Sequence, residues 1–336
     1  MALALSWAAA GPPASLSAQS QSLEGWLRNV GQLANSDMRE LRRGTPVVQL
    51  LDSPDDSELG ILGAVRVATT PAQLIALANR PAELLSDQTV VAVGEVHIPP
   101  RVQDFSRLQV PSADVRELGR CRPGSCKVKV AGPFMEGLAA AARRTRSESL
   151  AAVTARVRRM LFEYSDQFVV DGLSSLPAAV DKPTQTTPLE AAAPLRALYN
   201  TLFGQSQVLT NHMRRYPLSN AAGVTDRLAW TVEDVGLRTT IRLLHLTLIQ
   251  PPDVPAVDAI VGIEQLYASH YLLASTTFLS LVTDASVTGE PARYLILMTR
   301  YRFDEEVDGM SRTALERSTA TEHRRKLLRL QQRLRP

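Results

Sequence analysis

Only two cysteines occur in this 336-residue chain, Cys121 and Cys126, and its five histidines stand singly at 97, 212, 245, 270 and 323. A zinc site asks for four nitrogen or sulfur ligands, and neither a second cysteine pair nor a closely spaced histidine pair is present, so no metal is expected. The C-x4-C spacing excludes a C-x-x-C redox motif. Phosphate-cradling glycine loops, the G-x-S-x-G elbow and H-E-x-x-H are absent as well. The common nucleotide, hydrolase and zinc-protease readings therefore have no support, and no cofactor is expected.

Aromatic residues make up 5% of the chain, and no apolar run reaches the roughly 18 to 20 residues that span a bilayer. Neither sign of charge dominates, with 37 basic against 34 acidic residues. Nucleic-acid binders gather positive charge beside stacking aromatics. Here the one dense basic run is the C-terminal "HRRKLLRLQQRLRP", which holds no aromatic, so no nucleic-acid partner is expected. What the chain does have is 45% hydrophobic residues, enough for a large core.

The first residues, "MALALSWAAAGPPASLSAQSQS", form a short apolar stretch, a Gly-Pro-Pro break and small residues up to Ala18. They read as the end of a signal peptide or as an apolar arm over residues 1–20. The departure is that no Lys or Arg precedes Arg28. Residues 21–336 read as a single domain.

Apolar spacing predicts one amphipathic helix from Leu23 to Arg43, then a hairpin of "VVQLLD" and "GILGAVRVAT" around the turn "SPDDS". Thr70 followed by Pro71 marks a helix start. "QTVVAVGEVHI" reads as a strand, "SADVRELGR" as a short helix, and "CKVKVAG" as a strand with Lys127 and Lys129 outward. A mainly helical insertion follows at about 133–222, with a break near Ser147 to Ser149 and a proline-rich loop before its last helix. Beyond Val224 the segments "LRTTIRLLHLTLIQ", "AIVGIEQLYASHYLLA", "TTFLSLVTD" and "ARYLILMTRYRFD" predict an antiparallel meander. The segment from Ser311 to the end then reads as one long closing helix.

This order of elements, carried by "GILGAVRVATTPAQLIALAN" and by the meander and helix from Ile241 onward, resembles the helix-grip (START-like) fold. The fold class expected is α+β: a curved antiparallel sheet gripping a long C-terminal helix. "CRPGSCKVKV" together with "QLYASHYLLAS" also resembles a group of uncharacterised bacterial exported proteins. That likeness implies architecture and compartment, and no activity.

Four sets of residues are candidates for a role. Cys121 and Cys126 bracket a Pro-Gly turn; their spacing suits a disulfide or two free thiols, and an export-like N-terminus agrees with the disulfide. Glu95 and His97, two apart on a strand, and the lone His270 could serve acid-base chemistry, although no nucleophile is identifiable nearby. Alternation places Gln265, Tyr267 and Tyr271 on one strand face, where polar tips in a cavity could orient a ligand. Arg324, Arg325, Lys326, Arg329 and Arg333 surround leucines at helical spacing, an arrangement that docks on an anionic membrane surface or an acidic partner, or simply stays solvated.

The expectation is thus a non-catalytic exported binding protein. It would act as an accessory or docking subunit at the periplasmic face of a membrane or membrane protein complex. The alternatives are a carrier of a lipid or other apolar small molecule in the sheet-helix cavity, and an enzyme using Glu95, His97 or His270 on a hydrophobic substrate.

Overall fold

The computed structural model describes residues 23–197, 199, 206–219, 221–234, 238–284 and 291–335. The expected signal peptide or apolar arm lies outside them. Eight strands form one antiparallel sheet in the order β1-β2-β8-β7-β6-β5-β4-β3. β1 (Val47–Leu51) and β2 (Glu58–Val67) make the expected hairpin. The meander runs through β4 (Thr225–Asp234), β5 (Thr239–Ile249), β6 (Val257–Ala268), β7 (Leu272–Asp284) and β8 (Ala292–Phe303). The hairpin joins one edge through β2 and β8, and β3 (Val90–Val96) joins the other through β4. The meander thus has one strand more than the four expected segments, β4, which none of them covered; the expected segment "AIVGIEQLYASHYLLA" spans most of β6, a turn and the start of β7. Tyr271 makes that turn at φ +59°.

Alternating side chains give the sheet two apolar faces, and helices cover both. On one face Val65, Leu246, Leu281 and Leu297 pack with Leu74 and Leu77 of α3 (Pro71–Ala78) and with Leu327, Leu330 and Leu334 of the C-terminal helix α10 (Gly309–Arg333). α4 (Pro81–Leu85) continues this layer after a break at Pro81, whose ring cannot extend α3. A curved antiparallel sheet with a C-terminal helix across it is compatible with the helix-grip expectation. Gly63 in β2 makes the close approach of α10 feasible: a Cβ there would lie 2.5 Å from Leu327 Cδ1.

The opposite face carries two clusters. Beneath α1 (Leu23–Asn29), α2 (Asn35–Arg42) and α9 (Gln207–Arg215) lie Leu62, Ile260, Phe278 and Ile296. Under the insertion helices lie Trp230, Leu243, Leu266 and Tyr267, packed with Met160, Leu161 and Phe168 of α7 (Arg146–Asp171). The insertion between β3 and β4 also includes α5 (Ser112–Leu118), α6 (Gly132–Ala142) and α8 (Pro188–Ala197). Its long helical stretch breaks between Ala142 and Arg146, close to the expected place.

Three local expectations are corrected. The helix read over Leu23 to Arg43 is two helices, since α1 ends before Gly31, where a Cβ would meet the Leu27 carbonyl oxygen at 2.6 Å. The segment at Cys126 to Val130 is not a strand; its Lys129 is buried and ion-paired with Asp304 rather than solvated. The parity of β6 also breaks near its end. Leu243 of β5 faces Tyr267 but Leu244 faces Gln265, so Leu266 is an extra, bulged residue. Gln265 therefore shares the α10 face with Leu244, while Tyr267 shares the insertion face with Leu243.

Candidate functional site

A cleft of about 400 Å³ opens where α7, α8 and α9 end together, lined by Asp171, Leu173, Leu189, Arg196, Arg214, Arg215, Tyr216 and Leu218. The local sequence explains its shape. α7 stops at Gly172, whose φ of +79° suits glycine, and a Cβ there would lie 2.3 Å from the Tyr216 carbonyl oxygen. α9 is capped by Ser206, whose hydroxyl accepts from the Leu209 N–H at 3.2 Å and donates to Asp253 at 2.9 Å. Its last turn holds His212, Arg214 and Arg215, basic groups placed favourably at a helix C-terminus. Pro217 then leads the chain away.

Charge in the cleft is set by what lies behind it. Arg196 is mostly buried and donates from Nε and Nη2 to both oxygens of buried Glu264, each at 2.7 Å. Tyr199 donates to the same carboxylate at 3.1 Å. Burial opposes the Arg196 charge, but Glu264 overcomes it and the guanidinium pKa rises. That pair is neutral as a unit. Arg214 donates to the Arg196 carbonyl at 2.8 Å, and exposed Arg215 makes no side-chain hydrogen bond or ion pair with a described residue. With Arg214 and Arg215 against Asp171, the wall carries one net positive charge (+2 − 1). Leu218, 92% exposed, stands at the rim.

Tyr216 forms the back wall, stacked on Phe168 with centroids 4.9 Å apart and resting on His245 at 4.7 Å. Behind it Asp226 bonds His212 Nε2 at 2.9 Å and His245 Nε2 at 2.7 Å, and accepts from the Thr247 hydroxyl at 3.1 Å. Burial alone would raise the Asp226 pKa, but these hydrogen bonds and the histidine charges outweigh it and hold the carboxyl well below the usual range. Burial, with Asp226 nearby, pushes the Tyr216 phenol up to about 12. The network backs the cleft: both imidazoles are buried, and Tyr216 separates them from it.

The sequence candidates fall elsewhere. Cys121 and Cys126 are bonded, with Cα atoms 4.6 Å apart, and the turn is held to the insertion by Gly124 N–H to Val180 O at 2.8 Å and Cys126 N–H to Asp181 O at 2.9 Å. His97 pairs with Asp104 at 2.6 Å, not with Glu95, which accepts weakly from the Ala82 N–H at 3.4 Å. His270 meets Asp114 at 3.0 Å, and both are buried. None of these groups lines the cleft.

Gln265 points toward α10 and donates at 3.4 Å to the Leu272 and Leu273 carbonyls, whereas Tyr267 donates to the Lys129 carbonyl at 2.7 Å on the other face. The Tyr271 hydroxyl has no partner among the described residues, and its residue belongs to the β6–β7 turn. The bulge therefore prevents the three from sharing one face.

The basic C-terminal set also divides. Arg324, Arg325 and Arg333 are exposed, with Arg324 donating to the Pro46 carbonyl and Arg333 to the Glu83 carbonyl. Lys326 and Arg329 are half-buried, and the charges acting on Lys326 come from Asp87, Glu233, Arg242 and Arg329 in the layer between α10 and the sheet. Those two correct the expectation of a uniformly outward basic surface. Helical spacing alone puts 326 and 329 beside Leu327 and Leu330, on the gripping side.

The cleft residues were read only as parts of the helical insertion, Leu189 within its proline-rich loop, since Arg214 and Arg215 meet Arg196 and Asp171 through packing of three helices. One signal was available: His245 sits in the apolar strand "RLLHLTL", where burial demands a partner. No family model matches the sequence, and no curated protein is significantly similar to it.

Proposed function

We propose that this chain is an exported, non-catalytic binding protein of START-like helix-grip type. It serves as a docking subunit at the periplasmic face of a membrane or membrane protein complex. The observation that carries this reading is the cleft at the ends of α7, α8 and α9: about 400 Å³, backed by Tyr216 and the Asp226 network, net positive and rimmed by exposed Leu218. Its chemistry suits a partner segment that presents a carboxylate to Arg214 and Arg215 and an apolar side chain to Leu218 and Tyr216. The bonded Cys121–Cys126 pair agrees with an oxidising compartment. Among the described residues no helix is long and apolar enough to cross a membrane, so membrane association would come through the partner or the exposed arginines of α10.

A photo-crosslinking residue at position 218, introduced in the native host, tests the reading. The expected result is one dominant adduct to a membrane-complex protein, lost in Arg214→Glu/Arg215→Glu and retained in Arg324→Glu/Arg325→Glu. Absence of any specific adduct, or equal loss in both variants, would overturn it.

A further inference from the structure

α10 presents an unusual stripe to the sheet. Beside the apolar Leu327, Leu330 and Leu334 run His323, Lys326 and Arg329, spaced i, i+3, i+6 and therefore along one side of the helix. Across from them the strands end in Glu233 of β4, Arg242 of β5, Ser275 of β7 and Tyr301 of β8, with Asp87 from the loop before β3. The sheet side is knit together. Arg242 Nη1 reaches both oxygens of Glu233 at 3.2 Å, and its Nη2 donates to the Ser275 hydroxyl at 2.5 Å.

The helix side is not knit to it. Lys326 makes no hydrogen bond or ion pair with a described residue, although Asp87 and Glu233 act on it electrostatically. Among the described residues, buried Arg329 Nη2 and Arg242 Nε also lack partners, whereas His323, only 4% exposed, is hydrogen-bonded to the Leu297 backbone. Lys326, Arg329 and Arg242 set against Asp87 and Glu233 leave one uncompensated positive charge (+3 − 2). Burial, only partly offset by those carboxylates, lowers the Lys326 pKa, as expected for an ammonium short of counter-charge. Asp87, Glu233, Arg242, Tyr301, Lys326 and Arg329 are all half-buried, so the group is open to solvent at its mouth. Buried polar groups almost always have partners, and cationic donors left without one, brought together from two elements, call for an acceptor.

We propose that the polar end of the layer between α10 and the sheet is an anion-binding site, in which Lys326, Arg329 and Arg242 take a phosphate or carboxylate head. The site lies on the opposite face of the sheet from the cleft and does not depend on the docking reading. Two sources share this chemistry, a free anion and the headgroup of a lipid whose chains enter the apolar layer beside Leu327.

The test uses the full chain at constant ionic strength set with chloride. Inorganic phosphate and dihexanoyl phosphatidic acid, below its micelle concentration, are titrated calorimetrically. Saturable one-to-one binding of at least one probe is expected, weakened tenfold or more in Lys326→Met and in Arg329→Gln and changed less than twofold in exposed Arg325→Gln. Tenfold tighter binding of the lipid identifies a headgroup site, and equal binding identifies a free-anion site. The chain has four lysines, 127, 129, 182 and 326, so the wild-type protein labelled with 15N-lysine gives an independent reading of binding, and a variant is used only to assign the signal. Phosphate should shift one Nζ signal saturably, assigned to Lys326 by its absence in Lys326→Arg. No saturable binding of either probe, an unmoved Nζ signal, or equal weakening in Arg325→Gln would overturn the proposal, leaving the gap to bridging water.

Discussion

His323 carries the clearest residue-scale consequence. Burial, together with the neighbouring Lys326 charge, pushes its pKa down to about 3. An unfolded histidine takes its proton near pH 6.5, so the unfolded chain binds protons that the folded chain refuses. Stability is then complete above about pH 6.5 and falls as pH drops through the window toward 3, by about 2 kcal/mol between pH 7 and pH 5. Urea unfolding at the two pH values should show this loss in the wild type and little of it in His323→Leu. An equal loss in both would mean that the imidazole is protonated in the fold. Asp226 works in the other pH range: its depressed carboxyl contributes stability above about pH 4 that is lost below it.

At the scale of elements, the seat of α10 on β2 rests on a missing side chain. Gly63→Ala would drive a methyl against Leu327 Cδ1 at 2.5 Å, an overpacking expected to cost about 1–3 kcal/mol. Leu327→Ala alone leaves a cavity and costs about 2–5 kcal/mol. The double variant should be more stable than the sum of the two losses, because the new methyl enters the space the leucine leaves. Strict additivity in chemical denaturation would show that α10 is seated elsewhere. The stapled turn is a second element-scale device. Cys121→Ser/Cys126→Ser opens a loop of six residues, and the chain-entropy relation gives a loss of about 2 kcal/mol, which reductant should reproduce in the wild type and not in the variant.

For the whole molecule, the sheet is the shared wall of all three cores. Trp26 lies in the cluster under the N-terminal helices and Trp230 in the cluster under the insertion, both on the same sheet face. Strands β5 to β8 run through more than one cluster, so neither core can lose its wall without disturbing the other. Thermal unfolding followed by tryptophan fluorescence in Trp7→Phe/Trp26→Phe and in Trp7→Phe/Trp230→Phe, each with one tryptophan left, should give transitions that stay coincident with the far-ultraviolet dichroism of each variant. Two separated transitions would mark the insertion as an independently folding unit.

Much of this was legible in the chain itself. Alternation and turn residues marked the hairpin and meander, Thr70 and Pro71 marked α3, and the Pro-Gly turn between two cysteines marked the staple, since these depend on neighbours within a few positions. The bulge at Leu266 was not legible, because nothing in "EQLYASHYLLAS" marks an extra residue and only the pairing with Leu243 and Leu244 reveals it. The inward turn of Lys326 and Arg329 was half legible. Their spacing places them beside the gripping leucines, but charge alone argued for solvent. The cleft was decided entirely by tertiary structure. Arg196, Arg215 and Asp171 come from three helices, and packing over Tyr216 and the Asp226 network is what brings them to one place. Local sequence determines which backbone shapes are allowed, whereas a site built from distant residues exists only once long-range burial has chosen among them.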